Sequence, residues 1–67
     1  MITIKINGKA QTIDKKVNLL ELVKSMGLSC EKIVTEHNFC IVAMEEREKI
    51  ILEENDNLEI VSFVGGG

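Results

Sequence analysis

Residues 2–13, ITIKINGKAQTI, decide the fold. Ile2, Ile4 and Ile6 alternate with Thr3, Lys5 and Asn7, the period-two pattern of a strand with one buried face. Asn7-Gly8 follows, the strongest short hairpin signal, because both central residues of that tight turn need positive φ. Lys9 to Ile13 reads as the returning strand. The first structural unit is therefore an antiparallel hairpin.

Downstream of it, Asn18 stands at a helix N-cap position with Glu21 three residues on, a variant of the capping box. Val17 and Leu22 are spaced for the accompanying hydrophobic staple. Leu19, Leu22, Val23 and Met26 fall at i, i+3, i+4 and i+7 and predict one apolar stripe. Gly27 supplies the left-handed stop, and Leu28 can fold back on Val23. The expected helix has two to three turns. Ile33 to Glu36 reads as a third strand, His37-Asn38-Phe39 as its turn and Cys40 to Val42 as a fourth strand. Ala43 to Lys49 is charged and reads as a short helical or irregular connection. Asn55-Asp56-Asn57 is a turn cluster. The last strand is expected over Leu58 to Val64, with Leu58 and Ile60 on one face and Val61 and Phe63 on the other.

A hairpin, one helix, two short strands and a final strand imply a mixed sheet wrapped on one helix. A right-handed crossover through that helix sets a later strand parallel to the first. This is an α+β, β-grasp (ubiquitin-like) arrangement, with a mixed four- to five-stranded sheet packed on one main helix. Its last strand runs mid-sheet and projects the C-terminus outward. Residues 1–64 are expected to form a single β-grasp domain, and 65–67 a flexible glycine tail.

Only five glycines occur, and three of them are Gly65, Gly66 and Gly67. Glycine loses more conformational freedom on ordering than any other residue, so a terminal run of it does not serve a fold. It gives a side-chain-free strip ending in a carboxylate, able to enter a channel too narrow for a Cβ.

Composition narrows the field further. At 67 residues a chain buries only about 60% of its unfolded surface, so binding on the outside suits it better than a deep pocket. There is no Trp or Tyr, and the aromatics are Phe39 and Phe63. Net charge is −3 with no basic stripe, which argues against nucleic acid and suits a partner with a basic docking face. Cys30, Cys40 and the single His37 fall short of a zinc site or a disulfide scaffold, so both cysteines read as cytosolic thiols. The apolar runs are too short for a membrane span, and Met1 leads straight into a strand without a signal peptide. The expected setting is cytoplasmic.

The chain resembles the ThiS family of sulfur carrier proteins, bacterial relatives of ubiquitin, over essentially its full length. The resemblance rests on Asn7-Gly8-Lys9, Leu19-Leu20-Glu21-Leu22, Ile33-Val34-Thr35-Glu36-His37-Asn38 and the run from Asp56 to Gly67. Two positions depart from the family pattern. Asn55-Asp56 replaces a common Gly-Asp, tolerably, because asparagine accepts the left-handed region. Ala43-Met44 stands where a proline and a basic residue are frequent, which bears on how partner enzymes dock.

Membership implies that Gly67 is adenylated and converted to a thiocarboxylate that donates sulfur in thiamin (thiazole) biosynthesis. Gly65 and Gly66 would thread the partner's channel, and Val61, Phe63 and Val64 would dock the partner. The implied partners are a ThiF-type adenylyltransferase, thiazole synthase, and a cysteine desulfurase or other sulfur donor. ATP and magnesium would be consumed by the adenylating partner, with no cofactor bound permanently here and no catalytic residue in this chain. Alternatives are a sulfur carrier for molybdopterin or a sulfur amino acid, a ubiquitin-like modifier of lysines, and a regulatory β-grasp module indifferent to its terminus. The remaining chemical candidates have plainer readings. His37 is expected to be a surface histidine and Cys40 a small buried hydrophobe. Glu45, Glu46, Glu48, Glu53, Glu54 and Asp56 are expected to form a solvated acidic edge and no metal site.

Overall fold

The computed structural model describes residues 1–63. Five strands, β1 (Ile2–Ile6), β2 (Lys9–Ile13), β3 (Ile33–His37), β4 (Cys40–Val42) and β5 (Asn57–Ser62), accompany one α-helix, α1 (Leu19–Ser25). The sheet order is β2-β1-β5-β3-β4. β1 and β5 pair in parallel and the other neighbours antiparallel. The last strand therefore occupies the centre of the sheet, as the crossover argument requires. This is the β-grasp, with the sheet at its five-strand limit.

Local chemistry accounts for each boundary. Asn7 and Gly8 adopt φ of 51° and 84°, and the register runs without slip from Ile6↔Lys9 to Ile2↔Ile13. Asn7 does more than turn the chain. Where β1 bends away into the hairpin, its side-chain amide meets the facing Ile60 backbone in both directions, accepting from the Ile60 N–H at 2.7 Å and donating to its carbonyl at 3.1 Å. Both backbone groups of Ile60 are thereby satisfied.

Helix α1 opens on the expected capping box. The Glu21 N–H donates to Asn18 Oδ1 at 2.8 Å, and the Asn18 N–H to Glu21 Oε1 at 3.0 Å. It closes on a Schellman motif around Gly27 (φ 75°), with Leu28 N–H donating to the Val23 carbonyl and Gly27 N–H to that of Lys24. Seven residues are too few to hold a helix in water alone, so its stability comes from packing. Leu19, Leu22 and Val23 are buried against Ile4, Ile6, Ile33, Val42, Leu52, Leu58 and Ile60 of the sheet side. Met26 does not complete the stripe: the Schellman turn leaves it at the helix end, exposed.

The second half departs from expectation in three places. β3 continues through His37, so its turn is the two-residue Asn38-Phe39, both with positive φ (50° and 71°). β5 ends at Ser62, one residue before Phe63, while Val64 and the expected glycine tail, 65–67, lie outside the described residues. Cys40 is exposed, because it sits on the short edge strand β4 and is not a buried hydrophobe. Met44–Lys49 forms a 3-10 helix, a short helical connection as read.

Candidate functional site

Alternation along β5 sorts its side chains cleanly. Leu58 and Ile60 point into the core, while Val61 is 59% exposed and Phe63 47% exposed. The antiparallel register sets Val34 of β3 directly opposite Val61, and Glu36 opposite both Glu59 on one side and Ile41 on the other. Val34 and Ile41 are exposed as well. Directly opposite side chains in a sheet lie within about 5.5 Å at Cβ, so these residues make one surface on the open face. It is apolar at Val34, Val61, Ile41 and Phe63, with two carboxylates, Glu36 and Glu59, facing each other across β3 and β5. Like charges at that position are destabilising, and a cationic group laid over them would relieve the cost.

Phe63 lies at the edge of that surface, and its backbone is tied down. Its N–H donates to the Lys32 carbonyl at 2.9 Å, one step past the last pair, Ile33↔Ser62. Val61 and Phe63, expected from the sequence to dock a partner, are both exposed near the end of β5. Val64, Gly65, Gly66 and Gly67 lie outside the described residues. Val34 and Ile41 were not read as part of a surface from the sequence. Strand pairing brings them to Val61, and period-two alternation in β3 and β4 carries the signal only once the register is known.

Opposite this end, the turns before β4 and before β5 are clasped together. His37 Nε2 lies 2.8 Å from Asp56 Oδ2, and Asn38 Nδ2 donates to Asp56 Oδ1 at 3.1 Å. The Glu53 N–H donates to the same carboxylate at 2.9 Å, and Asn38 Oδ1 accepts from the Asn57 N–H at 2.8 Å. Burial alone would raise the Asp56 carboxyl, but these hydrogen bonds and the charge of His37 outweigh it and hold it below the ordinary carboxylate range. His37 is therefore a half-buried partner of Asp56 and not a free surface histidine. Asp56 leaves the acidic edge to become a buried turn clasp. Among the described residues no group of three or more His, Cys, Asp or Glu is placed to hold a metal ion. A groove of about 430 Å³ between Ile13, Val17 and Leu22 draws no residue from β3, β4 or β5, so it is separate from this surface. Nor, among the described residues, is any helix long and apolar enough to cross a membrane.

Among the described residues the arrangement is an exposed, mostly apolar surface at the end of β5, with no nucleophile–base pair within it. The model of the ThiS family matches residues 4–67. A crystal structure of the thiamine biosynthesis protein ThiS from Geobacter metallireducens superposes with a TM-score of 0.83 at 26% identity, covering 98% of this chain and all of that one. A thiazole synthase from Magnetococcus marinus is 31% identical over 96% of this chain, which spans only 20% of that relative's length. An uncharacterised protein, ycf40, from Trieres chinensis is 35% identical, with 97% of this chain and 89% of that one covered.

Proposed function

Because this chain belongs to the ThiS family, we propose that it is a sulfur carrier of thiamin biosynthesis whose Gly67 carboxylate is the group that carries sulfur. The observation that carries this reading is the route of the chain. The central strand β5 delivers an exposed Val61 and Phe63 to one edge, and Val64-Gly65-Gly66-Gly67 follows directly in sequence.

A carboxylate is a poor acyl donor, because its leaving group would be oxide. Attack of a Gly67 oxygen on the α-phosphorus of ATP expels pyrophosphate and gives an acyl-adenylate. A persulfide sulfur from the donor protein then attacks the acyl carbon and AMP leaves. Two electrons from a thiol reductant cleave the resulting S–S bond, leaving a C-terminal thiocarboxylate. ATP, magnesium and the groups that stabilise the phosphoryl charge belong to a ThiF-type partner, and the persulfide to a cysteine desulfurase or an equivalent donor. This chain contributes its terminus and a docking face, and is regenerated as a carboxylate when the sulfur is passed on.

Thiazole synthase is the acceptor this reading favours. Relatives bearing that name, from Magnetococcus marinus and from Paramagnetospirillum magneticum, contain a segment similar to 96% and 92% of this chain. A carrier held in the same polypeptide as its acceptor gains effective concentration, which makes sense of such a joining. The acidic pair Glu36 and Glu59 within an apolar surface suits partners with a basic, partly apolar docking face.

Intact-protein mass spectrometry tests the proposal. After incubation with the adenylating enzyme, ATP, a persulfide donor and reductant, the expected product is the chain with one oxygen replaced by sulfur at Gly67. Conjugates on other proteins would identify a modifier instead, and an unchanged mass would overturn the tail chemistry.

A further inference from the structure

Arg47 falls within the charged connection Ala43 to Lys49, yet only 3% of it is exposed. Its guanidinium reaches three acceptors. Nε donates to Thr35 Oγ1 at 3.2 Å, Nη1 to the Cys30 carbonyl at 2.7 Å, and Nη2 to the Ile33 carbonyl at 2.9 Å. The two carbonyls bracket Lys32, and Lys32 is the residue whose own carbonyl receives the Phe63 N–H. The Lys32 N–H is meanwhile held by the Ser29 carbonyl at 3.0 Å. One buried cation thus grips both sides of the short 3-10 segment, Cys30–Lys32, to which the end of the last strand is fastened.

We propose that Arg47 is a positioning residue that fixes the root of the C-terminal tail, so that the Gly67 carboxylate meets the partner's reacting centre. This rests on the sulfur-carrier reading above. The physical case is reach. From Phe63 to Gly67 there are four residues, which span at most roughly 14 Å when fully extended. A partner docked on Val34, Ile41 and Val61 must place its nucleotide within that radius of Phe63. A root that drifts by an ångström or two then displaces the carboxylate from attack geometry, and misplacement on that scale costs about a hundredfold in favourable cases. A planar fork is suited to hold two backbone carbonyls and a hydroxyl at once. A lysine ammonium, a single point on a flexible stem, is not.

The three hydrogen bonds of Arg47 go to Cys30, Ile33 and Thr35, and none to the side chains of Val34, Ile41, Val61 or Phe63, so its loss is expected to act on turnover and not on docking. The test uses Arg47→Lys and Arg47→Met in the full chain. Amide hydrogen exchange is read by NMR, and pyrophosphate exchange is measured with the adenylating enzyme. The expected result is selective loss of protection at the Phe63 amide while Ile60 stays protected. The apparent kcat should fall about tenfold or more, with KM changed less than about twofold. Unchanged protection at Phe63, equal loss at Ile60, or a rise in KM at wild-type kcat would each overturn the proposal. If neither variant folds, a semisynthetic amide-to-ester replacement at Phe63 cuts the same link while keeping Arg47 and the phenyl ring. The same fall in kcat supports the assignment, and wild-type kcat overturns it. A wild-type chain inert in pyrophosphate exchange would sink the sulfur-carrier reading instead. The amide exchange would still decide whether Arg47 holds the Phe63 root.

Discussion

Two phenylalanines sit in the open for different reasons, and substitution separates them. Phe63 is half exposed just past β5, with its backbone N–H bonded to Lys32. Phe63→Ala keeps that bond and removes a ring that does little in the core. Stability is expected to change by less than about 1 kcal/mol, while KM for the activating enzyme rises. A loss of roughly 3 kcal/mol in denaturant titration would instead place the ring in the core. Phe39 is 80% exposed and holds φ of 71°, at the second position of a turn where glycine is the natural occupant. A side chain in the left-handed region costs about 1–2 kcal/mol, partly offset by the greater freedom that glycine brings to the unfolded chain. Phe39→Gly is therefore expected to raise stability by about 0.5–1 kcal/mol. Phe39→Ala, which keeps a Cβ, is expected to bring no such gain. Equal denaturation midpoints for the glycine and alanine variants would show that the turn stores no strain.

At the scale of elements, the clasp between the β3–β4 turn and the turn before β5 carries a pH dependence of definite sign. The Asp56 carboxyl is held below its ordinary value in the folded protein, so the folded state binds that proton more weakly than the unfolded chain. Its contribution is fully present above the unfolded value, about 4, and is lost as pH falls through the folded value. Asp56→Asn is expected to lower stability by about 2 kcal/mol near neutrality, since charge-assisted bonds to His37, Asn38 and Glu53 are weakened. It should also flatten the acid limb. Urea midpoints measured between about pH 6 and about pH 2 should converge for the two proteins as pH falls. Parallel curves would mean that the clasp carries no proton linkage. The same turns show what a sequence can and cannot tell. Asn7-Gly8, Asn18 with Glu21, and Gly27 were legible because each acts on backbone within a few residues. The partnership of His37 with Asp56, the exposure of Cys40 and the burial of Arg47 depend on which segments meet. A charged residue in a charged stretch gives no local sign that three distant acceptors will surround it.

At the scale of the whole molecule, the buried core ends before the proposed tail chemistry begins in sequence. Among the described residues, every buried apolar side chain lies between Ile4 and Ile60, and the final ladder bond is made by the Phe63 N–H. The β-grasp topology was legible because hairpin, capped helix and closing strand admit one right-handed crossover. The exposed apolar surface was legible only along β5, since Val34 and Ile41 join it through register. Gly65, Gly66 and Gly67 have no side chain with which to bury apolar area, and no core position waits for one. Removing all three is therefore expected to leave the denaturation midpoint and slope unchanged, because the slope follows the surface exposed on unfolding. Thiocarboxylate formation, read by intact mass with the activating enzyme and sulfur donor, is expected to vanish. A clear drop in midpoint would mean that the glycines pack against the domain in the free protein. Partner binding would then have to release the tail before adenylation, and the affinity of the activating enzyme would be reduced by the fraction of chains in which it is already free.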